Sequence, residues 1–575
     1  MRLLKWRPSK LGTIARRNRQ EIIAAGLTRR ELIKMGLVSA SGYLVSKGGL
    51  SAWASGGLST LASPPTAPFT EELVVPQVAQ PTLLTPAPAE VPIAGEVARG
   101  NHLFWNSLPP QKAYELVAQA IQHRFHAQLP LNTAWGWGGT VPGPTFHARY
   151  GEPITVRMRN GLPAIAQHTG FGRPEVATHL HNLHNASASD GFPADFYATG
   201  LFKDHHYLNT YAGFTLPEFA PLGDPREALG TLWYHDHRVD FTAQNTYRGL
   251  SGFYLLFDAL DSGDERDPNP LALRLPSGEF DVPLQIVDRV FDQDGQLLFD
   301  LFNLDGIIGD KFIVNGKIQP CFRVARRKYR FRLLNSGPSR FYEFFLSNGA
   351  SFTHIANDGN LFPAPVDVQS VRLAVAERVD VVIDFSNYAL GDKIYLENRL
   401  EQVDGRGPTG NILPPGQGNM VLEFRVDRDA PDPSRVPATL RELPPADPSA
   451  AAVTRVWDFG RSQGAWTVNN AFFDANVIRA RPRQDSAEIW VLRNTSGGWS
   501  HPIHIHFEEF QVITLDGAPP TTRNAGRKDV LELGRANGSE ARIFLRFRDM
   551  KGRYVMHCHN TVHEDHAMMI RWDIV

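Results

Sequence analysis

The sequence predicts an all-β protein of three consecutive β-sandwiches, on three grounds: a turn-rich composition, a strand-and-asparagine pattern that recurs three times, and a length that one hydrophobic core cannot fill. With 49 Gly and 42 Pro in 575 residues, the chain is broken often, which favours many short strands over long helices. Several domains are expected at that length. Charge is balanced, 59 Lys and Arg against 60 Asp and Glu, so nothing draws the chain to a polyanion, and no nucleic-acid partner is expected. The two cysteines, Cys321 and Cys558, exclude a disulfide framework. Cys321 reads as a buried small hydrophobe without function.

The N-terminal residues 1–54 read as an export signal and are set aside from the fold. A basic stretch leads to Thr28-Arg29-Arg30-Glu-Leu-Ile-Lys34, then a mildly apolar run to about Ser46, and Ala52-Trp53-Ala54 offers a cleavage site. This pattern resembles a twin-arginine signal and implies a periplasmic or extracellular protein. The apolar run is too short and too rich in Gly and Ser to span a bilayer, so no membrane span is expected in the mature chain. Residues 55–95, rich in Pro, Ala and Thr, read as a linker.

Three segments then share one pattern: Gly151-Glu-Pro-Ile-Thr-Val-Arg-Met-Arg-Asn160, Arg323-Val-Ala-Arg-Arg-Lys-Tyr-Arg-Phe-Arg-Leu-Leu-Asn335 and Asp485-Ser-Ala-Glu-Ile-Trp-Val-Leu-Arg-Asn494. Each reads as an alternating strand closed by an Asn turn. The asparagines fall 175 and 159 residues apart, about one domain each. The expected domains are residues 96–262, 263–426 and 450–575, with the Pro- and Asp-rich stretch 427–449 as an exposed connection.

The first and third copies share more than a strand. His179-Leu-His181 matches His504-Ile-His506, and Gly230-Thr-Leu-Trp-Tyr-His235-Asp-His237 matches Gly552-Arg-Tyr-Val-Met-His557-Cys-His559. The second copy has no His-x-His, so the outer domains are expected to build one site between them, with the middle one as a spacer. Residues i and i+2 of a strand point the same way, roughly 6 to 7 Å apart, so each motif presents two imidazoles to one face and turns Asp236 outward. Of 20 histidines, 12 lie in these motifs or within seven residues of them, a concentration that core packing does not produce. Eight imidazoles are enough for three copper ions. In His557-Cys558-His559 the thiolate points the opposite way from its neighbours and serves a second centre. With His563, His501 and Met568 it makes the His₂Cys-Met set of a blue-copper site, one backbone step from the imidazole cluster.

These four motifs resemble those of the multicopper oxidases across the whole mature chain, and His563-Glu-Asp-His-Ala-Met568-Met569 with Arg327-Lys-Tyr-Arg-Phe-Arg332 are most similar to bacterial spore-coat laccases and bilirubin oxidases. The resemblance implies three cupredoxin-like (Greek-key) β-sandwich domains and four copper ions: type 1 on His501, Cys558, His563 and Met568; type 2 on His179 and His504; and a type 3 pair on His181, His235, His237, His506, His557 and His559. It implies a monomeric laccase-like oxidase that takes single electrons from phenolic, aminophenolic or bilirubin-like reductants at an exposed edge of His501, and passes them to dioxygen, making water. Reducing dioxygen to water consumes one proton per electron, so carboxylates are wanted nearby. Asp190 in Ser-Asp-Gly, also a good turn former, and Glu564 are the candidates by position and by resemblance. His184 and His566 are expected to be bystanders or to support ligands. Asn182 stands where the family often has Gly, which bears on local loop shape. Two other readings stay open: a metallo-oxidase acting on Cu(I), Fe(II) or Mn(II), disfavoured by the absence of a methionine-rich insertion among the eight Met, and a non-enzymatic structural relative, disfavoured by the complete ligand set.

Overall fold

The computed structural model describes residues 62–462 and 464–575. The signal read over residues 1–54, and the first part of the linker, lie outside them. The architecture is the expected one, three sandwiches in a row. In the first, the sheet containing Lys112–His123 and Ile154–Asn160 faces the sheet containing Thr178–His181, Thr231–Asp236 and Ser251–Phe257. Alternate side chains of both sheets, among them Leu116, Val156, Leu180, Tyr234 and Tyr254, form the core between them. The second runs from Asp281–Phe291 to Asn419–Arg428, two residues past the expected boundary, and the third from Ala451–Ser462 to Met569–Ile574. Among the described residues no helix is long and apolar enough to cross a membrane.

The threefold repeat extends to single hydrogen bonds. Each repeat strand lies parallel to the first long strand of its domain: Ile154–Asn160 on Lys112–His123, Lys328–Asn335 on Asp281–Phe291, and Ser486–Asn494 on Ala451–Ser462. Each closing asparagine is buried and uses its carboxamide alike. The Oδ1 of Asn160, Asn335 and Asn494 accepts the backbone N–H of Leu162, Gly337 and Ser496, an Asx turn, while each Nδ2 donates to two carbonyls of more distant loops. For Asn494 those carbonyls belong to Trp499 and Gly534, both at 2.7 Å. Asn494→Ala strands both, at about 1–3 kcal/mol each if unsatisfied. We therefore expect a lower calorimetric midpoint for the transition of the third domain, and an unchanged midpoint would disprove the shared role.

Two expectations are corrected by tertiary contacts. The segment Arg323 to Asn335 is two strands, not one: Cys321–Ala325 pairs with Asn419–Arg428 in one sheet, and Lys328–Asn335 lies in the other. The chain crosses between sheets at Arg327, which is buried against Glu265 at 2.6 Å and over the ring of Phe280. Residues 62–95 are a strap and not a free spacer. Phe69 and Leu73 donate to Gln319 and Cys321 of the second domain, Ala79 and Thr82 to Thr145 and Ala113 of the first, and Arg157 grips the carbonyls of Thr85 and Pro86. Proline removes donors and hides such a segment from periodicity, but its carbonyls still bind. The 427–449 connection is mostly exposed, and it is held at two points, by Asp432 to Lys328 and by Arg441 to Asp258.

Candidate metal centre

Strand pairing sets the first half of the cluster. Thr178–His181 runs antiparallel to Thr231–Asp236 with His179 opposite His235, and His501–Ile505 runs antiparallel to Gly552–Cys558 with His504 opposite His557. The two strand pairs meet face to face across the boundary of the first and third domains. His179 stacks on His506 with ring centroids 3.8 Å apart, and His181 on His504 at 3.7 Å. All eight imidazoles of the four His-x-His motifs are thereby brought to one buried place.

Outer partners decide which nitrogen of each ring faces inward. His179 Nδ1 donates to the carbonyl of Asp190, His235 Nδ1 to that of Asp236, and His504 Nδ1 to that of Asp529. His506 Nδ1 lies 2.8 Å from Asp190 Oδ2, and Glu564 lies 3.2 Å from His237 Nδ1 and 3.0 Å from His557 Nδ1. In all six rings Nε2 is left to point inward. The Nε2 atoms of His237, His506 and His557 converge to 3.3 Å from one another, and those of His179 and His504 to 3.5 Å. His181 differs: its Nε2 lies 2.6 Å from Asp529 Oδ2, off the donor axis of the ring, and neither ring nitrogen has a hydrogen-bond partner. His235 Nε2 and both nitrogens of His559 also lack partners. Burial holds the imidazoles of His179, His181, His237, His504, His506 and His559 well below their ordinary titration range, and that of His235 down to about 3. Buried neutral imidazoles that aim lone pairs at one another, each orphaned at about 1–3 kcal/mol, fit one kind of occupant, a metal cation.

A second donor set lies on the other face of the Gly552–Cys558 strand. Cys558 Sγ is 3.5 Å from His501 Nδ1 and 3.6 Å from His563 Nδ1, and the two nitrogens are 3.2 Å apart. Their outer nitrogens are occupied, His501 Nε2 by Ser496 Oγ at 2.9 Å and His563 Nε2 by the carbonyl of Asp305 at 3.0 Å. Met568 is buried in the same core, its N–H on the carbonyl of His563 and its carbonyl on the N–H of Cys558. Burial pushes the Cys558 thiol well up and His501 down to about 3, so a thiolate here needs a cation beside it. One thiolate and two imidazoles, with a methionine of the same core hydrogen-bonded through its backbone to Cys558 and His563, suit copper.

The two predicted carboxylates both stand behind imidazoles, where they orient rings. Burial raises Asp190 well above the carboxylate range. It ends a short helix, Ser187–Asp190, closed by Gly191 at φ +88°, where a Cβ would strike the carbonyl of Thr178. Asn182 takes a left-handed φ of 76°, a conformation glycine adopts freely, and its amide adds bonds to Asp358 O and Glu509. His184 binds Asp549, and His566 donates to the carbonyl of Val562.

Three expectations change here. Asp236 does point away from the imidazoles, but into the protein and not outward: it accepts from Ala177, Arg238 and Asn245, and burial raises it to about 7. His501 has no exposed edge. Trp466 lies 3.8 Å from the His563 ring and 5.5 Å from that of His501, and Trp499, under Arg406 and Arg461, covers Trp466. The middle domain is more than a spacer, since Asp305 holds His563. Asp305 and Asp529 carry no local signal, because what marks them is a partner tens or hundreds of residues away, and Ser496, five residues before His501, belongs to no motif.

A family model described as "Multicopper oxidase" matches residues 304–407, and a second of the same description residues 445–575. A laccase of Bacillus stratosphericus is 32% identical over 88% of this chain and 99% of its own length. A bilirubin oxidase of Albifimbria verrucaria is 33% identical over 88% of this chain and 81% of its own. The crystal structure of a laccase from Pediococcus acidilactici superposes with a TM-score of 0.70, covering 90% of this chain and 95% of that one at 22% identity, which speaks to the fold.

Proposed function

Because this chain belongs to the multicopper oxidase family and is a laccase-like copper oxidoreductase, we propose that it oxidises phenolic, aminophenolic or bilirubin-like reductants one electron at a time and reduces dioxygen to water, as a monomer holding four coppers. The observation that carries this reading is the pair of donor sets of different softness joined by a single residue step: Cys558 faces one way, His557 and His559 the other. His501, Cys558, His563 and Met568 would hold the type 1 copper. His179 and His504, paired through Nε2, would hold the type 2 copper. Of the type 3 pair, one ion fits the converging His237, His506 and His557, and the other fits His181, His235 and His559, whose rings lie 5.3 to 5.8 Å apart and carry the unpartnered nitrogens.

Bound copper supplies one-electron redox chemistry at the thiolate centre and the electrons for dioxygen at the imidazole cluster. The protein's own part is positional. The backbone of residues 557–559 gives a covalent path of minimal length between the centres. Trp466 and Trp499 seal the soft set from water, so a reductant docks against Trp499 and not on a bare imidazole. Asp190 and Glu564, each on the outer nitrogen of cluster imidazoles, keep those rings turned inward. They are also carboxyl groups in contact with the cluster, and supplying protons is the role we propose for them.

Oxygen-electrode assays with a catechol, an aminophenol and bilirubin beside Fe(II), Cu(I) and Mn(II) test the reading. Uptake with the organic reductants, at one dioxygen per four electrons delivered, is expected; uptake with the metal ions alone would replace it by a metallo-oxidase. We further propose export by the twin-arginine route to the periplasm or beyond. Arg29→Lys with Arg30→Lys is expected to strand the precursor in the cytoplasm, and normal secretion of that variant would refute the route.

A further inference from the structure

The imidazole cluster takes its ligand side chains from the first and third domains, yet a residue of the middle domain closes the contact between them. Asp529 is fully buried on the third domain, just before strand Val530–Leu533. Its carbonyl accepts from His504 Nδ1 at 2.9 Å, and its carboxylate Oδ2 lies 2.6 Å from His181 Nε2. One residue thus addresses both members of the pair that stacks at 3.7 Å across the domain boundary. A lone buried carboxylate is strongly unfavourable, and Arg378 of the middle domain offsets it, with Nη1 2.9 and 3.2 Å from the two carboxylate oxygens. The same guanidinium donates through Nε to the carbonyl of Thr231, on the strand that carries His235, and through Nη2 to the carbonyl of Asp358, which also receives Asn182, the residue after His181. Arg378 therefore touches all three domains: Thr231 on the strand of His235, Asp529 against His181 and His504, and Asp358, whose carbonyl also binds Asn182.

We propose that Arg378 and Asp529 are a positioning pair that sets the register of the two halves of the cluster. Asp529 occupies the Nε2 side of His181, so Nδ1 is the atom that ring has left for metal, whereas six of the other seven rings offer Nε2. Arg378 keeps that carboxyl group aimed at His181. The fork of an arginine is required, because a lysine cannot reach Asp529, Thr231 and Asp358 together.

The proposal rests on the copper assignment above, and its test separates the two. Wild type and variants are titrated with buffered free copper, following the blue absorption of the Cys558 centre, the electron paramagnetic resonance signal of non-blue Cu(II), and copper per chain. Asp529→Ala is expected to leave the blue band intact and to weaken filling of the cluster about 10–100-fold, with an altered non-blue signal. Asp529→Asn, which keeps a side chain of the same size and an oxygen beside His181, should recover most of that loss, as a role in positioning requires. Arg378→Met should resemble Asp529→Ala, with Arg378→Lys between it and wild type. Unchanged filling and signal in Asp529→Ala would overturn the pair while leaving the copper assignment intact. Failure of Asp529→Asn to recover any filling would overturn the positioning role. A wild type with no blue band or no non-blue copper would instead sink the assignment. Should Asp529→Ala fail to fold, Arg378→Lys carries the test, and wild-type filling in that variant refutes the proposal.

Discussion

Cys558→Ser is expected to remove the blue colour of the copper-loaded protein and to bring oxygen consumption down to background. Intense red absorption needs charge transfer from a thiolate to Cu(II), which a serine hydroxyl, a harder and far weaker acid, does not provide. The change is small in volume at a fully buried position, so its direct stability cost is on the order of 1 kcal/mol, and the protein should stay folded. His557 and His559 keep their places on the opposite face of the strand, and the imidazole cluster should keep its copper. The expected signature is therefore specific: colour and turnover lost, copper content reduced by about one part in four, unfolding midpoint nearly unchanged. A blue, oxidised Cys558→Ser sample would show that the soft set formed by His501, Cys558 and His563 is not the site of the colour.

His237→Ala is expected to produce the opposite pattern. Its Nε2 is one of three that converge at 3.3 Å, and its Nδ1 is one of two imidazole contacts of Glu564. Removing it takes away a donor and half the support of that carboxylate, a larger loss than the about 10–100-fold that follows from disturbing a supporting residue alone. The soft set on the other face of the strand is untouched. Blue colour should persist, bleach when a reductant is added, and fail to return promptly in air. Stopped-flow absorbance decides the matter: reoxidation at the wild-type rate would mean that dioxygen is reduced elsewhere.

The candidate ligands were legible because their spacing is a local property. A His-x-His on a strand presents both rings to one face whatever the rest of the chain does, and the alternation at Cys558 follows from the same geometry. The three asparagines were legible for a related reason, since an Asx turn is closed within two residues. Residues that act through distant partners were not legible. Asp529 sits in Arg527-Lys-Asp-Val, which says nothing until His181, 348 positions earlier, is brought within 2.6 Å. Arg378 reads as one more strand arginine. The strap of residues 62–95 reads as a spacer, because its hydrogen bonds run to other domains and leave no period of their own.

The sequence by itself determined the fold class, the count and order of the domains, the two donor sets and the copper chemistry they suit, since each of these depends on residue type and on separations of a few positions. Only the tertiary structure decided which nitrogen of each ring faces inward, that no edge of His501 is exposed, that Asp190 and Glu564 stand behind imidazoles, and that the middle domain reaches the site through Asp305 and Arg378. The physical reason is common to all four. They are settled by hydrogen bonds and packing between residues far apart in the chain, where the energy of a buried polar group depends on a partner that no local pattern names.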